Sequence, residues 1–156
     1  MPLKTVLSRT VFNKLFNTSK PTRSYTPGSE QEAWIAIMYA SMSIDGHIAD
    51  AEVKKMFDLV EKLPLFKRKQ VAEYYRPAML AHKKVGSYNL IDGSIPLIQE
   101  DQKTSLFEMI MQLLLADGKF LQKEKEVAAY LTTALDLEFD TAKKIVDDAM
   151  LKKLIK

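Results

Sequence analysis

Two stretches of this chain, residues 33–40 and 106–116, are apolar around nearly the whole circumference of a helix, and each runs into an Asp-Gly pair. A helix without a polar face cannot lie on a surface and has to sit in the middle of a bundle. The first stretch, Ala33 to Ala40, is the longest unbroken apolar run. It is far short of the roughly 20 residues that span a bilayer. After each Asp-Gly pair the pattern turns amphipathic, and no segment alternates convincingly with period two. The chain therefore reads as all-α, a single domain of about seven helices. An internal duplication would give it two pseudo-symmetric halves, each centred on a helix–Asp-Gly turn–helix motif.

Apolar spacing places the individual helices. Leu3, Leu7, Val11, Phe12, Leu15 and Phe16 predict a short amphipathic helix over 3–16, and the Pro- and Gly-containing stretch 17–29 reads as a connector. A central helix over 30–44 is anchored by Trp34. The next, over 50–62, turns Val53, Met56, Phe57 and Val60 to one side and ends before Pro64. A third begins near 67, with Pro77 expected to break or kink it near Arg76. The stretch "VGSYNLIDGS" (85–94) reads as loop, its Asp92-Gly93 as a turn. A helix over 122–135 carries Val127, Ala128, Leu131 and Leu135 inward, and Asp140 is expected to cap a last helix over 140–154.

Charge is unevenly distributed. Residues 1–29 carry Lys4, Arg9, Lys14, Lys20 and Arg23 and no acid, whereas the remainder holds 18 basic and 20 acidic side chains. The division expected is a basic arm and linker, 1–29, and a mildly acidic helical domain, 30–156. The sequence shows no basic cluster on the domain of the kind nucleic-acid binding requires. The arm resembles a transit peptide in composition, and its basic amphipathic pattern suits peripheral contact with an anionic membrane. Packing of its Leu and Phe on the body is the plainer alternative. With no cysteine there is no disulfide, thiolate metal site or Cys-His catalysis, in keeping with a reducing cytoplasm.

Aligned with an offset of 72, Asp45 meets Asp117, Gly46 meets Gly118, Ile48 meets Phe120 and Glu52 meets Glu124. Both copies read D-G-x-Φ-x-x-x-E, where Φ is apolar. The spacing matches the fifth, sixth and twelfth positions of an EF-hand loop. Its first and third positions are here Ser41 and Ser43, or Leu113 and Leu115, and leucine cannot ligate a cation. The EF-hand is excluded. A purely structural account is available: glycine takes the positive φ that leaves a helix, the apolar residue plugs the turn into the core, and glutamate binds a free N–H in the next first turn.

In "SMSIDGHIADAEVKKMFDLV" and "LLLADGKFLQKEKEVAAYLTTALDL", about seventy residues apart in an all-helical chain, the motif resembles the tellurite-resistance protein TerB family over roughly 30–140. The resemblance implies a non-enzymatic module of a bacterial stress response, with an acidic cluster that binds a divalent metal. Carried over by residue, that cluster is Asp45, Glu52, Asp117 and Glu124. It also implies protein partners, including a membrane-embedded component of the same system, and a cytoplasmic location at the inner face of the membrane. Asp50 is an extra acid in the first copy, where the second has Gln122. Lys119 is a departure that could neutralise the carboxylates itself.

The chemistry of such a cluster is constrained. Two like charges about 4 Å apart cost about 4 kcal/mol at an effective dielectric of 20. A hard cation, a lysine or a proton could each relieve that repulsion. Oxygen donors alone favour Ca²⁺, Mg²⁺ or Mn²⁺ over zinc or copper, and nothing calls for an organic cofactor. A tellurium oxyanion would be repelled by it. His47 in the turn reads as solvated, and neither it nor His82 has a second histidine at i+4. Two alternatives stand: a metal-dependent hydrolase, which needs a cavity beside the carboxylates, and a helical adaptor in which both motifs are only caps.

Overall fold

The computed structural model describes residues 24–155 apart from Asp45, His47, Asp117 and Gly118; the helix expected over 3–16 lies outside the described residues. Among the described residues seven α-helices follow one another: α1 (Glu30–Met42), α2 (Asp50–Val60), α3 (Val71–Val85), α4 (Ser87–Ser94), α5 (Lys103–Leu114), α6 (Gln122–Ala134) and α7 (Phe139–Ile155). Among the described residues there is no strand.

Helix α1 is the axis of the domain. Every residue from Glu32 to Met42 is buried, as its lack of a polar face requires. It packs most extensively on α3 and α4 and also meets α5. Ser29 caps it, accepting the Glu32 N–H at 3.1 Å. Glu32 is itself buried, and its carboxylate accepts from the Tyr25 hydroxyl and, at 3.3 Å, from the Gly28 N–H. Burial and that hydrogen bond push the Tyr25 phenol up to about 12. Residues 24–29 are thus fastened over the first turn of α1.

Helix α5 repeats this role less completely, burying Leu106, Phe107, Ile110, Met111, Leu113 and Leu114, and it packs on α7 and α1. Helix α6 buries Val127, Ala128 and Leu131, with Leu135 following, on the face the spacing predicted.

Three local expectations are corrected. Helix α3 runs unbroken through Pro77. An interior proline costs a helix about 3 kcal/mol. Against that stand buried Val71, Ala78 and Ala81 and the edge-on contacts of Tyr75 with Tyr39 and Phe57, each at 5.4 Å. Residues 87–94 are helix, not loop. The Gly86 backbone, at φ +83°, ends α3 and starts α4, which buries Leu90, Ile91 and Ser94. Asp92-Gly93 lies inside α4, and glycine is needed there because the Tyr25 carbonyl lies so close that a Cβ would come within 1.9 Å of it. Finally, α7 begins at Phe139, so Asp140 sits in its first turn rather than capping it.

Candidate functional site

The described residues that flank the two Asp-Gly pairs make matching contacts. At the first, the Ser43 N–H closes α1 on the Tyr39 carbonyl at 3.0 Å, and Gly46, at φ +85°, donates to the Ser43 carbonyl at 2.8 Å. A Cβ on Gly46 would meet no atom within 4 Å, so the glycine is required for its conformation and not for space. Ile48 packs on the core. Ala49, at φ −82° and ψ 151°, then starts α2, and its N–H is held by Glu52 Oε1 at 2.8 Å.

At the second junction the Leu115 N–H closes α5 on the Met111 carbonyl at 2.9 Å, and Phe120 packs on the core. Leu121, at φ −74° and ψ 163°, starts α6, and Glu124 Oε1 accepts its N–H at 2.9 Å. Alanine and leucine have no side-chain oxygen with which to cap a helix. In both copies the glutamate three residues on supplies the acceptor half of a capping box. The first-turn role expected of Glu52 and Glu124 is therefore what these side chains do.

The helices that lead into the two junctions are tied together near their starts. Glu30 Oε2, at the start of α1, accepts the N–H of Gln99, four residues before α5, at 3.1 Å. The two helices, of 13 and 12 residues, pack together from that shared end, and α2 rests on α5 as well. Asp45 and Asp117, the other half of the expected acidic set, lie outside the described residues. Among the described residues no three acids, histidines or cysteines converge as a metal site would require. Glu52 is half-buried with one oxygen committed to Ala49. Its donor chemistry suits a hard cation, because a carboxylate can hold an N–H with one oxygen and a cation with the other. Asp50 is exposed at the first position of α2. Its charge helps to raise the Tyr75 phenol, after the larger effects of burial and Tyr39.

Pairings across the fold lay beyond sequence reasoning. His82 Nε2 meets Ser87 Oγ at 2.8 Å, and the Ser87 hydroxyl donates to the Ala40 carbonyl at 2.9 Å. With its own proton so committed, Ser87 accepts, which places a proton on His82 Nε2. This chain joins α3, α4 and α1, and burial lowers the His82 pKa. Tyr130 on α6 donates to Asp92 Oδ1 on α4 at 2.6 Å, its ring edge-on to Tyr88 at 4.6 Å. No spacing rule announces a contact between residues 38 positions apart.

An open groove of about 390 Å³ runs between α6 and α7, walled chiefly by Phe107, Phe120, Ala128, Phe139, Ala142 and Val146. Neither Glu52 nor Glu124 lines it. Among the described residues no helix is long and apolar enough to cross a membrane.

No curated protein and no solved structure matches the chain significantly. Residues 31–145 do match a family model, described as tellurite resistance protein TerB. That span begins in the first turn of α1, takes in both junctions and ends within α7. Central helix, Asp-Gly junction and glutamate-held first turn, twice over, thus sit inside a family match covering most of the chain: it belongs to the TerB family.

Proposed function

We propose that this chain is a non-enzymatic TerB module of a tellurite-resistance or stress-response system, acting by binding a divalent cation at its duplicated acidic junctions and by engaging protein partners. The observation that carries the reading is the repeated local geometry: each Asp-Gly pair is followed by a glutamate, Glu52 or Glu124, whose carboxylate sits in the first turn of the next helix and holds its starting N–H. Asp45 and Asp117 complete the ligand set, which consists only of hard oxygen donors suited to Ca²⁺, Mg²⁺ or Mn²⁺. Its partners, including a membrane-embedded one, belong to the same system, as membership of the TerB family suggests. The groove between α6 and α7 is lined mainly by apolar side chains and by neither glutamate, which favours a binding role over metal-dependent hydrolysis.

Isothermal titration of the chain with each cation, beside Asp45→Asn with Asp117→Asn, tests this. Millimolar or tighter uptake by the wild type and its loss in the double variant is the expected result. No uptake by the wild type would leave the second reading, a helical adaptor. The specific observation favouring that one is that Glu52 and Glu124 each already serve as caps.

A further inference from the structure

The segment joining α2 to α3 carries Lys62, Lys67, Arg68 and Lys69, all exposed, against the single acid Glu61. None of the four bases takes part in an ion pair among the described residues. The segment is nonetheless firmly built. Pro64–Phe66 forms a 3-10 turn, Phe66 is buried with its ring edge-on to Tyr74, and the Gln31 amide donates to the Leu65 carbonyl at 3.2 Å.

Beyond Phe66 the chain makes a tight turn. The Lys69 N–H returns to the Phe66 carbonyl at 2.9 Å, Lys67 sits at φ −58° and ψ 126°, and Arg68 at φ +62°. These are the angles of a type II turn, whose third position needs a positive φ and normally holds glycine or asparagine. An arginine there carries a backbone cost, and residues held in such sparsely populated conformations cluster at functional positions. The other non-glycine residue at positive φ among the described residues, Asp136 at +55°, follows the C-terminus of α6, where short polar side chains are tolerated. Arg68 has no such local reason.

We propose that the Lys67-Arg68-Lys69 turn is a docking knob for an anionic bilayer surface. Consecutive bases on a tight turn splay apart, so they match charge spread over a plane better than one compact anion. The knob is also fixed to the entry end of α1. Gln31 holds it there, and Tyr25 and Gly28 fasten residues 24–29 to the same first turn. Lys20 and Arg23 immediately precede that stretch in the chain. The 24–29 stretch and the basic knob are therefore both tied to the entry end of α1, while Ser43 and Gly46 of the first junction follow its other end. Nothing in this depends on the cation reading.

The test is co-sedimentation of the whole chain, in chelator, with vesicles of phosphatidylcholine alone or with one-fifth phosphatidylserine. Arg68→Gly and Lys67→Gln with Lys69→Gln are compared with the wild type, and melting temperatures are measured alongside. The wild type is expected to bind only the anionic vesicles. Each base removed should lower the partition coefficient about fivefold. Arg68→Gly should at the same time raise the melting temperature by about 2 °C, by relieving the positive φ. Unchanged partitioning in both variants, no anionic preference in the wild type, or preferential binding to an acidic peptide or a DNA duplex would overturn the proposal. So would a lower melting temperature for Arg68→Gly, since the turn would then need its arginine for folding.

Discussion

Glu52 has one measurable task in the fold and another proposed for it, and two substitutions separate them. Its Oε1 holds the Ala49 N–H at 2.8 Å in the first turn of α2. Glu52→Gln keeps an amide oxygen able to accept that bond and removes the charge. Glu52→Ala removes both. In chelator, the glutamine variant should lose only the favourable interaction of a carboxylate with the helix N-terminus, about 0.5 kcal/mol. The alanine variant should lose the bond as well, about 1.5 kcal/mol in all. At roughly 2–4 °C per kcal/mol for a chain of this size, the two melting curves separate by a few degrees. Cation is then added. A ligand at 100 times its dissociation constant stabilises a protein by about 2.7 kcal/mol, and both variants should forfeit most of that increment. If the two variants are equally destabilised in chelator, the capping account is wrong. If Glu52→Gln keeps the full cation increment, Glu52 is not a ligand.

Further outcomes can be measured by urea denaturation. Gly93→Ala should destabilise by about 1–3 kcal/mol through its backbone clash with Tyr25, although alanine in an open helix would gain about 1 kcal/mol; a stabilised variant would mean that residues 24–29 do not pack as described. Tyr130→Phe should cost about 1–2 kcal/mol by stripping Asp92 of its donor. Asp136→Gly should add about 0.5–1 kcal/mol, because the Leu137 and Asp136 N–H groups already return to the Thr132 and Thr133 carbonyls in a left-handed helix end that suits glycine. His82 has a lowered pKa in the fold, so below its unfolded value near 6.5 the unfolded chain binds the extra proton first. Its contribution is complete above that pH and is lost as pH falls toward the folded value. His82→Gln should flatten this part of the stability–pH curve.

Periodicity and turn chemistry in the residues themselves determined most of the helices, the burial of α1 and α5, and the two junctions with their capping glutamates. These rest on interactions within about four positions, which a linear pattern records directly. The family resemblance was legible for the same reason, since its motifs are local. Tertiary structure alone decided that Ser87–Ser94 is a helix: Gly, Asn and Asp weaken its local propensity, and burying Leu90 and Ile91 against α1 overrides that. It alone decided that α3 continues through Pro77, where contacts from α1 and α2 outweigh a lost backbone bond. Seating an arginine in the left-handed position of the α2–α3 turn was likewise beyond local rules, which assign that position to glycine. Propensities describe the chain in water, and α3 and α4 take their final form from side chains more than a dozen positions away that reach them only after collapse.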